Sequence, residues 1–436
     1  MDQSRAHRIV VVGAGYVGLT TGACLASLGH HVVCCDVDAG KVAQLSRGQV
    51  RIHEPGLPEL VREGIRVGRL SFTRCAASVV PTADEIFLCV PTPMAPDGGA
   101  NLAAVESVIR QIRAALPAGC VLVTKSTVPV GTTARLAELV GRGDVAVVSN
   151  PEFLREGLAV QDFLHPDRIV LGSDDPDAAY RVAELYTDLD APTLVTDAAS
   201  AEMVKYAANC FLATKLSYVN DVAELCEQVG ADVAGITEYL AHDRRITPSF
   251  LRPGPGWGGS CLPKDTAALL RTAEVVGVDL PLVRAAIDAN HRHQRRMAAK
   301  VVAACGGSLA GTRLGLLGLT FKAGTDDLRD SPALAVARLL AEQGAELVGY
   351  DPALRGDEPE LAHLVTLVDD AYHAAKGTAA LVLLTDWPEF RDLDWSRVAE
   401  LAARPVVVDT RNHLDPAALR RAGLDWHGTG RPSRVR

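Results

Sequence analysis

The sequence predicts an α/β protein of two doubly wound domains joined by a long central helix. Three observations predict it. Short β-rich apolar runs alternate with helical stretches from residue 8 to about 195. A stretch of about 30 residues from about Ala198 to Gly230 stays helical without an internal Gly or Pro. A second β/α alternation begins at about Arg313.

In the first alternation the runs are Arg8–Val12, His31–Cys35, Glu85–Val90, Cys120–Thr124 and Val145–Val148. None alternates polar with apolar residues, which suits strands buried on both faces of a parallel sheet. Strands separated by helices make βαβ units with right-handed crossovers. The central helix would span about 45 Å. It is apolar on more than one side, so it reads as a covered, domain-linking helix, with a dimer interface along it as the preferred addition. In the second alternation Arg313–Leu319, Glu346–Tyr350, Leu381–Leu384 and Pro405–Asp409 read as strands, with a helix near Ala333–Gln343. The domains are set at 1–197 (dinucleotide binding), 198–305 (helical, carrying the cysteine loop described below) and 306–436 (the second doubly wound domain). The basic last seven residues, from Gly430 to Arg436, read as a frayed tail.

Composition narrows the class. The chain has 436 residues, 48% hydrophobic and 22% charged, which excludes disorder and small disulfide scaffolds. A net charge of −9 with no basic domain argues against nucleic acid and an acidic membrane surface as partners. The ten cysteines form no CxxC pair and no Cys/His cluster with zinc-ligand spacing, so no metal is expected. Most sit in apolar runs, as in a reducing cytoplasm. Arg5 and Arg8 before the apolar stretch Ile9–Leu28 imitate a signal peptide, but Gly13, Gly15, Gly18 and Gly22 interrupt it.

Those glycines have a better explanation. Gly13-Ala-Gly-Tyr-Val-Gly18 is a G-x-G-x-x-G between a strand and a helix, the context that gives this weak motif its meaning. Gly13 permits the turn, Gly15 the approach of a pyrophosphate to the helix N-terminus, and Gly18 the packing of helix on strand. Asp36, at the end of the next strand, can accept from ribose hydroxyls and would repel a 2′-phosphate, so NAD is favoured over NADP. FAD, or a turn that binds nothing, is the alternative.

The segment Gly254-Pro-Gly-Trp-Gly-Gly-Ser-Cys-Leu-Pro-Lys-Asp265 places Cys261 between a glycine-rich loop and a helix-compatible run, Thr266–Glu274. A helix N-terminus and a neighbouring Lys264 favour the thiolate, so Cys261 reads as a nucleophile and the other nine cysteines as structural. Lys205 and Asn209 lie four apart on the long helix, hence on one face. Lys205 either snorkels to solvent or points into a site. Glu152 and Glu156 could share a helical face; on periodicity alone they read as acids at a helix start. Thr127, in Lys125-Ser-Thr-Val-Pro-Val-Gly131 after a strand, either holds a water or ribose hydroxyl or caps the next helix.

Taken together, these segments resemble the nucleotide-sugar 6-dehydrogenase family, the UDP-glucose/GDP-mannose dehydrogenases, nearly end to end. The matching stretches include VVGAGYVGLTTGACLASLGHHVVCCDVD, the EPGL within His53–Leu57, VPTP, KSTVPVGT, NPEFLREGLAVQDFLHPDRIVLG and EMVKYAANCFLATKLSYVNDVAELCEQVGADV. They continue with PGPGWGGSCLPKD, GLTFKAGTDDLRDSP and DTRN. The resemblance implies a four-electron, NAD-dependent oxidation of a sugar C6 alcohol to a carboxylate. Cys261 would trap the aldehyde as a thiohemiacetal, and oxidation to a thioester and hydrolysis would follow. Lys205 and Asn209 would stabilise the oxyanion. Asp265 and Thr127 would handle water and protons, Glu152 would be an acid/base or assist hydrolysis, and Glu156 would lie near the nicotinamide.

For the nucleotide sugar the resemblance points to the backbones of Glu152, Phe153, Leu154, Arg155 and Glu156, and to those of Phe250, Leu251, Arg252, Pro253 and Gly254. It adds Gly258, Lys322 and Arg411, with Arg245 contributed across a subunit contact. For NAD it adds Val17, Lys41, Thr92, Lys264 and Arg329 to the glycines and Asp36. Cations suit a diphosphate. HPDRIVLG and KYAANCFLATK favour UDP-glucose as the substrate; GDP-mannose and a UDP-amino sugar are the alternatives. A homodimer or higher homo-oligomer in the cytoplasm is implied. Three departures stand out: Thr247 where the family usually has glycine, Pro255 inside the glycine loop, and Trp257 where Phe or Tyr is more usual. Trp257 could wall the sugar site.

Overall fold

A computed structural model describes residues 6–356 and 358–432. Its contacts divide the chain into two compact units, Met1–Ala208 with Ala267–Val278, and Asn209–Thr266 with Asp279–Arg436.

The first unit is built on eight strands: β1 (Arg8–Val12), β2 (His31–Cys35), β3 (Leu70–Thr73), β4 (Glu85–Leu88), β5 (Val121–Thr124), β6 (Ala146–Ser149), β7 (Ile169–Gly172) and β8 (Thr193–Thr196). Their order is β3-β2-β1-β4-β5-β6-β7-β8. The first six positions follow the 3-2-1-4-5-6 order of dinucleotide-binding sheets, whose ligands sit at the carboxyl ends of the strands. β4 and β5 are buried along their whole length, as unalternating apolar runs require. One face packs Val11, Phe87 and Val123 against Leu19 and Ala23 of the helix Tyr16–Ser27. The other packs Ile86, Leu88 and Leu122 against Ile109 and Leu136.

The sheet departs from expectation at one seam. β6 and β7 run antiparallel and share a single residue pair, Ser149 with Gly172. β3, β7 and β8 are strands that the sequence did not single out. β3 and β8 are half exposed, so they lack the apolar run that marks a central strand.

The 32-residue helix Ala198–Val229 forms as the pattern predicts. Of its side chains, Phe211, Tyr218 and Leu225 are 67%, 59% and 59% exposed.

In the second unit β9 (Arg313–Leu317), β10 (Glu346–Tyr350), β11 (Thr366–Leu367), β12 (Ala380–Leu383), β13 (Val406–Asp409) and β14 (Asp425–Gly428) form a parallel sheet. The order is β11-β10-β9-β12-β13-β14, the same 3-2-1-4-5-6 arrangement. β11 spans two residues and β14 reads Asp-Trp-His-Gly, so neither carries an apolar signature.

The frayed-tail expectation fails at its start. Gly430 is buried: its N–H donates to Glu227 Oε1 at 2.7 Å, and its carbonyl accepts from Val233 N at 2.9 Å. Residues 433–436, and Arg5 at the other end, lie outside the described residues.

Thr247 and Phe250 both adopt left-handed backbone, with φ of 63° and 61°. At Thr247 the chain keeps the conformation that glycine adopts freely, and a β-branched residue is strained there by about 1–3 kcal/mol. Thr247→Gly is therefore expected to raise stability by about 1 kcal/mol, since part of the relief is offset by glycine's greater unfolded-state entropy. Urea unfolding of the two proteins side by side reads the difference, and a less stable variant contradicts it.

Candidate active site

The dinucleotide turn follows β1. Gly13 has φ 101°, and a Cβ on Gly18 would lie 1.8 Å from Gly13 O, so only glycine lets the helix start this close to the strand. A Cβ on Gly15 would meet nothing within 4 Å, which leaves open space at the helix N-terminus where a diphosphate is favoured. Asp36 accepts from Ala14 N at 3.1 Å, from Asp38 N at 3.0 Å and from Lys41 Nζ at 2.8 Å. Burial pushes its pKa up, but the Lys41 bond and the two amides outweigh it, and the carboxyl sits below its ordinary value. These residues fit NAD. Val17 is in the first turn of the same helix, and Thr92 donates to the carbonyl of Thr127 at 2.8 Å. Thr127 does not cap the next helix. The cap position of Thr132–Val140 is Gly131, and its free amides are taken by Glu202.

The segment after β6 is not helical, so Glu152 and Glu156 share no helical face. Glu152 is buried instead: it accepts from Leu154 N at 2.6 Å and pairs with Lys205 Nζ at 2.9 Å. The two side chains are 6% and 5% exposed, so Lys205 points inward rather than to solvent. The centre of the Phe153 ring is 4.1 Å from the Arg168 guanidinium carbon and 5.5 Å from Lys205 Nζ. The Arg155 side chain turns outward to Asp162 at 2.6 Å. Beyond Glu156 the chain is fastened to the dinucleotide turn: Gly157 N donates to Tyr16 Oη at 2.7 Å and to Glu54 Oε2 at 2.8 Å. Tyr16 Oη donates in turn to Glu54.

In the second unit the cysteine loop is clamped from both sides. Gly254 N donates to Asn220 Oδ1 at 3.0 Å, and Gly254 O accepts from His293 Nε2 at 2.7 Å. Burial drives the His293 pKa down to about 4 against that bond, so the ring is a neutral strut. Trp257 exchanges two 2.9 Å backbone bonds with the Asn290 side chain, and its indole N–H donates to Ser217 Oγ at 2.9 Å. Trp257 is thus anchored inward by its polar edge. A Cβ on Gly258 would lie 1.9 Å from Asp330 O, which locks the loop to the 320–331 segment.

Cys261 caps the helix Leu262–Val275, with its carbonyl accepting the amide of Asp265 at 2.9 Å. The half-buried thiol has Ser260 Oγ 3.6 Å away and sits at the positive end of that helix, where a thiolate is stabilised. Asp265 is fully buried and accepts from Asn209 Nδ2 and Lys264 Nζ, each at 2.5 Å. Lys264 therefore spends its charge on Asp265.

Arg411 is held by the carbonyls of Leu384 at 3.0 Å and Phe321 at 3.4 Å, and burial lowers its pKa. A Cβ on Gly254 would lie 2.8 Å from its Nη1, so the guanidinium borders the cysteine loop. Lys322 Nζ is 5.8 Å from the Phe321 ring. Arg245 and Arg329 pair with Asp243 and Asp327 at 2.6 Å each; the Arg245 side chain is 88% exposed. Asp351, which follows β10 as Asp36 follows β2, is turned onto its own chain. Its Oδ2 accepts from Leu319 N at 2.7 Å, from Thr320 N and Thr320 Oγ1 at 3.0 Å, and from Trp387 Nε1 at 3.2 Å.

Sequence reasoning missed Glu202, the Tyr16–Glu54 fastening, and the buried polar set Ser217, Asn220, Asn290 and His293. Glu202 had a signal: it lies one helical turn before Lys205. Among the described residues no group of three His, Cys, Asp or Glu is placed to hold a metal, and no helix is long and apolar enough to cross a membrane.

The chain matches the models of three domains: the NAD binding domain of the UDP-glucose/GDP-mannose dehydrogenase family over residues 7–190, its central domain over 199–292 and its UDP binding domain over 315–416. It is 43% identical over 435 residues to a UDP-glucose 6-dehydrogenase of Rhizobium meliloti (strain 1021), covering 98% of this chain and 100% of that one. It is 41% identical to the UDP-glucose 6-dehydrogenase TuaD of Bacillus subtilis (strain 168), covering 98% and 94%. A solved UDP-glucose dehydrogenase from Pyrobaculum islandicum superimposes with a TM-score of 0.89 at 38% identity, covering 99% of each chain.

Proposed function

The chain belongs to the UDP-glucose/GDP-mannose dehydrogenase family of NAD-dependent oxidoreductases, and from that premise we propose that it oxidises UDP-glucose to UDP-glucuronate. The observation that carries the proposal is Cys261 at a helix N-terminus, in a loop that glycines and buried amides hold rigid. Bound NAD would supply the hydride acceptor for each of the two oxidations. The sum is one C6 alcohol, one water and two NAD⁺ giving one carboxylate, two NADH and three protons.

This chain's residues divide the work. Asp36, Lys41 and the Gly13–Gly18 turn hold the dinucleotide, with Val17, Thr92, Glu156, Lys264 and Arg329 as further contacts. After the first oxidation the Cys261 thiolate adds to the aldehyde carbon, and the oxygen becomes an alkoxide. Lys205 and Asn209 stabilise that charge, which is where preorganised donors act most strongly. Loss of hydride from the adduct leaves a thioester. Water then adds to its carbonyl, the C–S bond breaks, and sulfur departs as thiolate. Asp265 and Thr127 move protons at these steps, and Glu152 assists the water. Arg411 and Lys322 bind the diphosphate of the sugar nucleotide, and the backbones of 152–156 and 250–254 with Gly258 position the sugar. Arg245, on the surface, serves a neighbouring subunit.

The proposed assembly is a homodimer through the long helix. Phe211, Tyr218 and Leu225 recur every seven residues, so they fall on one face as an exposed apolar stripe. Sedimentation equilibrium that finds only monomer overturns it. Ten free cysteines, most of them buried, support a reducing cytoplasm as its compartment. NADH yield tests the function: two per sugar from UDP-glucose and none from GDP-mannose is expected. One NADH per sugar, or a preference for GDP-mannose, overturns it.

A further inference from the structure

Lys125 follows β5 and is buried, 5% exposed, with no carboxylate in contact among the described residues. Its Nζ donates to Asn150 Oδ1 at 3.0 Å and lies 5.7 and 5.9 Å from the rings of Phe163 and Tyr186. Asn150 is a hub. Its Oδ1 also accepts from Tyr186 Oη at 2.7 Å, and its Nδ2 donates to Val170 O at 2.9 Å. The hub stands at the weakest place in the sheet. β6 and β7 share one residue pair, and Asn150, the residue after β6, crosses that seam with its side chain. Two residues on is Glu152, paired with Lys205.

An ammonium in such a place loses its hydration without an ion partner to replace it. Packing alone would be served as well by methionine. The charge does what methionine cannot: a charge-assisted hydrogen bond is roughly twice as strong as a neutral one. Besides Tyr186, the titratable groups that act on Lys125 among the described residues are Cys89 after β4, Cys24 on the first helix, Glu152 after β6 and Lys205 on the long helix. Tyr186 stays protonated, because burial pushes its pKa far up.

We propose that Lys125 is a positioning residue, whose ammonium holds Asn150 across the β6–β7 seam and thereby sets the segment that carries Glu152. This rests on the dehydrogenase reading above. Burial, together with the Lys205 charge, lowers the Lys125 pKa to about 8 against the pull of Cys89 and Glu152. The ammonium is therefore present below that pH and lost above it. As it is lost, the bond to Asn150 weakens to a neutral one.

The test is the pH profile of kcat with UDP-glucose and NAD. Wild type is expected to lose activity on an alkaline limb centred near pH 8. Lys125→Met, uncharged at every pH, is expected to lower kcat at pH 7 by about tenfold, to leave the KM for UDP-glucose within about twofold, and to lack that limb. A Lys125→Met enzyme with kcat within twofold of wild type, or one that keeps the limb, overturns the proposal. Should Lys125→Met not fold, Tyr186→Phe removes the other donor at Asn150 Oδ1 and leaves the Lys125 charge as the remaining hold. The ratio of kcat at pH 7 to kcat at pH 9.5 is then expected to rise at least twofold, and an unchanged ratio overturns the proposal. Wild type that makes no NADH from UDP-glucose overturns the dehydrogenase reading, and the role of Lys125 with it. Wild type that turns over beside a variant of equal profile overturns Lys125 alone.

Discussion

Cys261→Ser is expected to abolish formation of the sugar acid, by on the order of 10³-fold or more, while cofactor and sugar nucleotide still bind. A serine hydroxyl at the same helix N-terminus is not ionised at neutral pH. The helix dipole and the rigid loop would then act on a group with no charge to stabilise. On the proposed chemistry the first oxidation does not need the sulfur. The variant should therefore release aldehyde slowly, or hold it as a hemiacetal, with at most one NADH per sugar. Rapid-quench product analysis and NADH counting read this directly. Turnover to the acid at a rate near wild type would remove Cys261 from the chemistry.

Lys205→Met is expected to be the second most damaging change, and for two separable reasons. It removes a preorganised cation from the site, which is worth about 10²–10³-fold in kcat. It also leaves Glu152 buried without its ionic partner, which costs about 3–5 kcal/mol of stability. The double variant Lys205→Met with Glu152→Gln separates the two. Removing both charges should restore most of the stability and none of the activity. Activity within tenfold of wild type in the single variant would reassign Lys205 to structure.

The fold was legible wherever burial leaves a compositional mark. β1, β2, β4 and β5 are apolar runs because both faces are covered, and the long helix declares itself by what it lacks, glycine and proline. β3, β8, β11 and β14 are short edge or near-edge strands whose residues answer to solvent on one side, and nothing in a single sequence separates them from loops. The antiparallel contact of β6 and β7 depends on a single pair, too little to mark the sequence. In the candidate site, Cys261, Asp36 and the glycine turn stand out in the sequence because each calls for a particular local conformation. Periodicity misread Glu152 as an acid at a helix start, because its burial is set by Lys205, more than fifty positions away. Lys125 and Glu202 escaped for the same reason: their partners are distant in the chain.

Asp351 has a consequence for timing. Its Oδ2 is committed to Leu319, Thr320 and Trp387, so this carboxylate does not stand open to a ribose in the way proposed for Asp36. On the proposed chemistry, the seat at the Gly13–Gly18 turn serves two electron-pair acceptors in succession, and a spent molecule departs before a fresh one arrives. The half-finished sugar is the passenger during that swap. A tether through sulfur keeps it from drifting into bulk water, so the interval that the fold imposes on the reaction is one that the thiol can bridge.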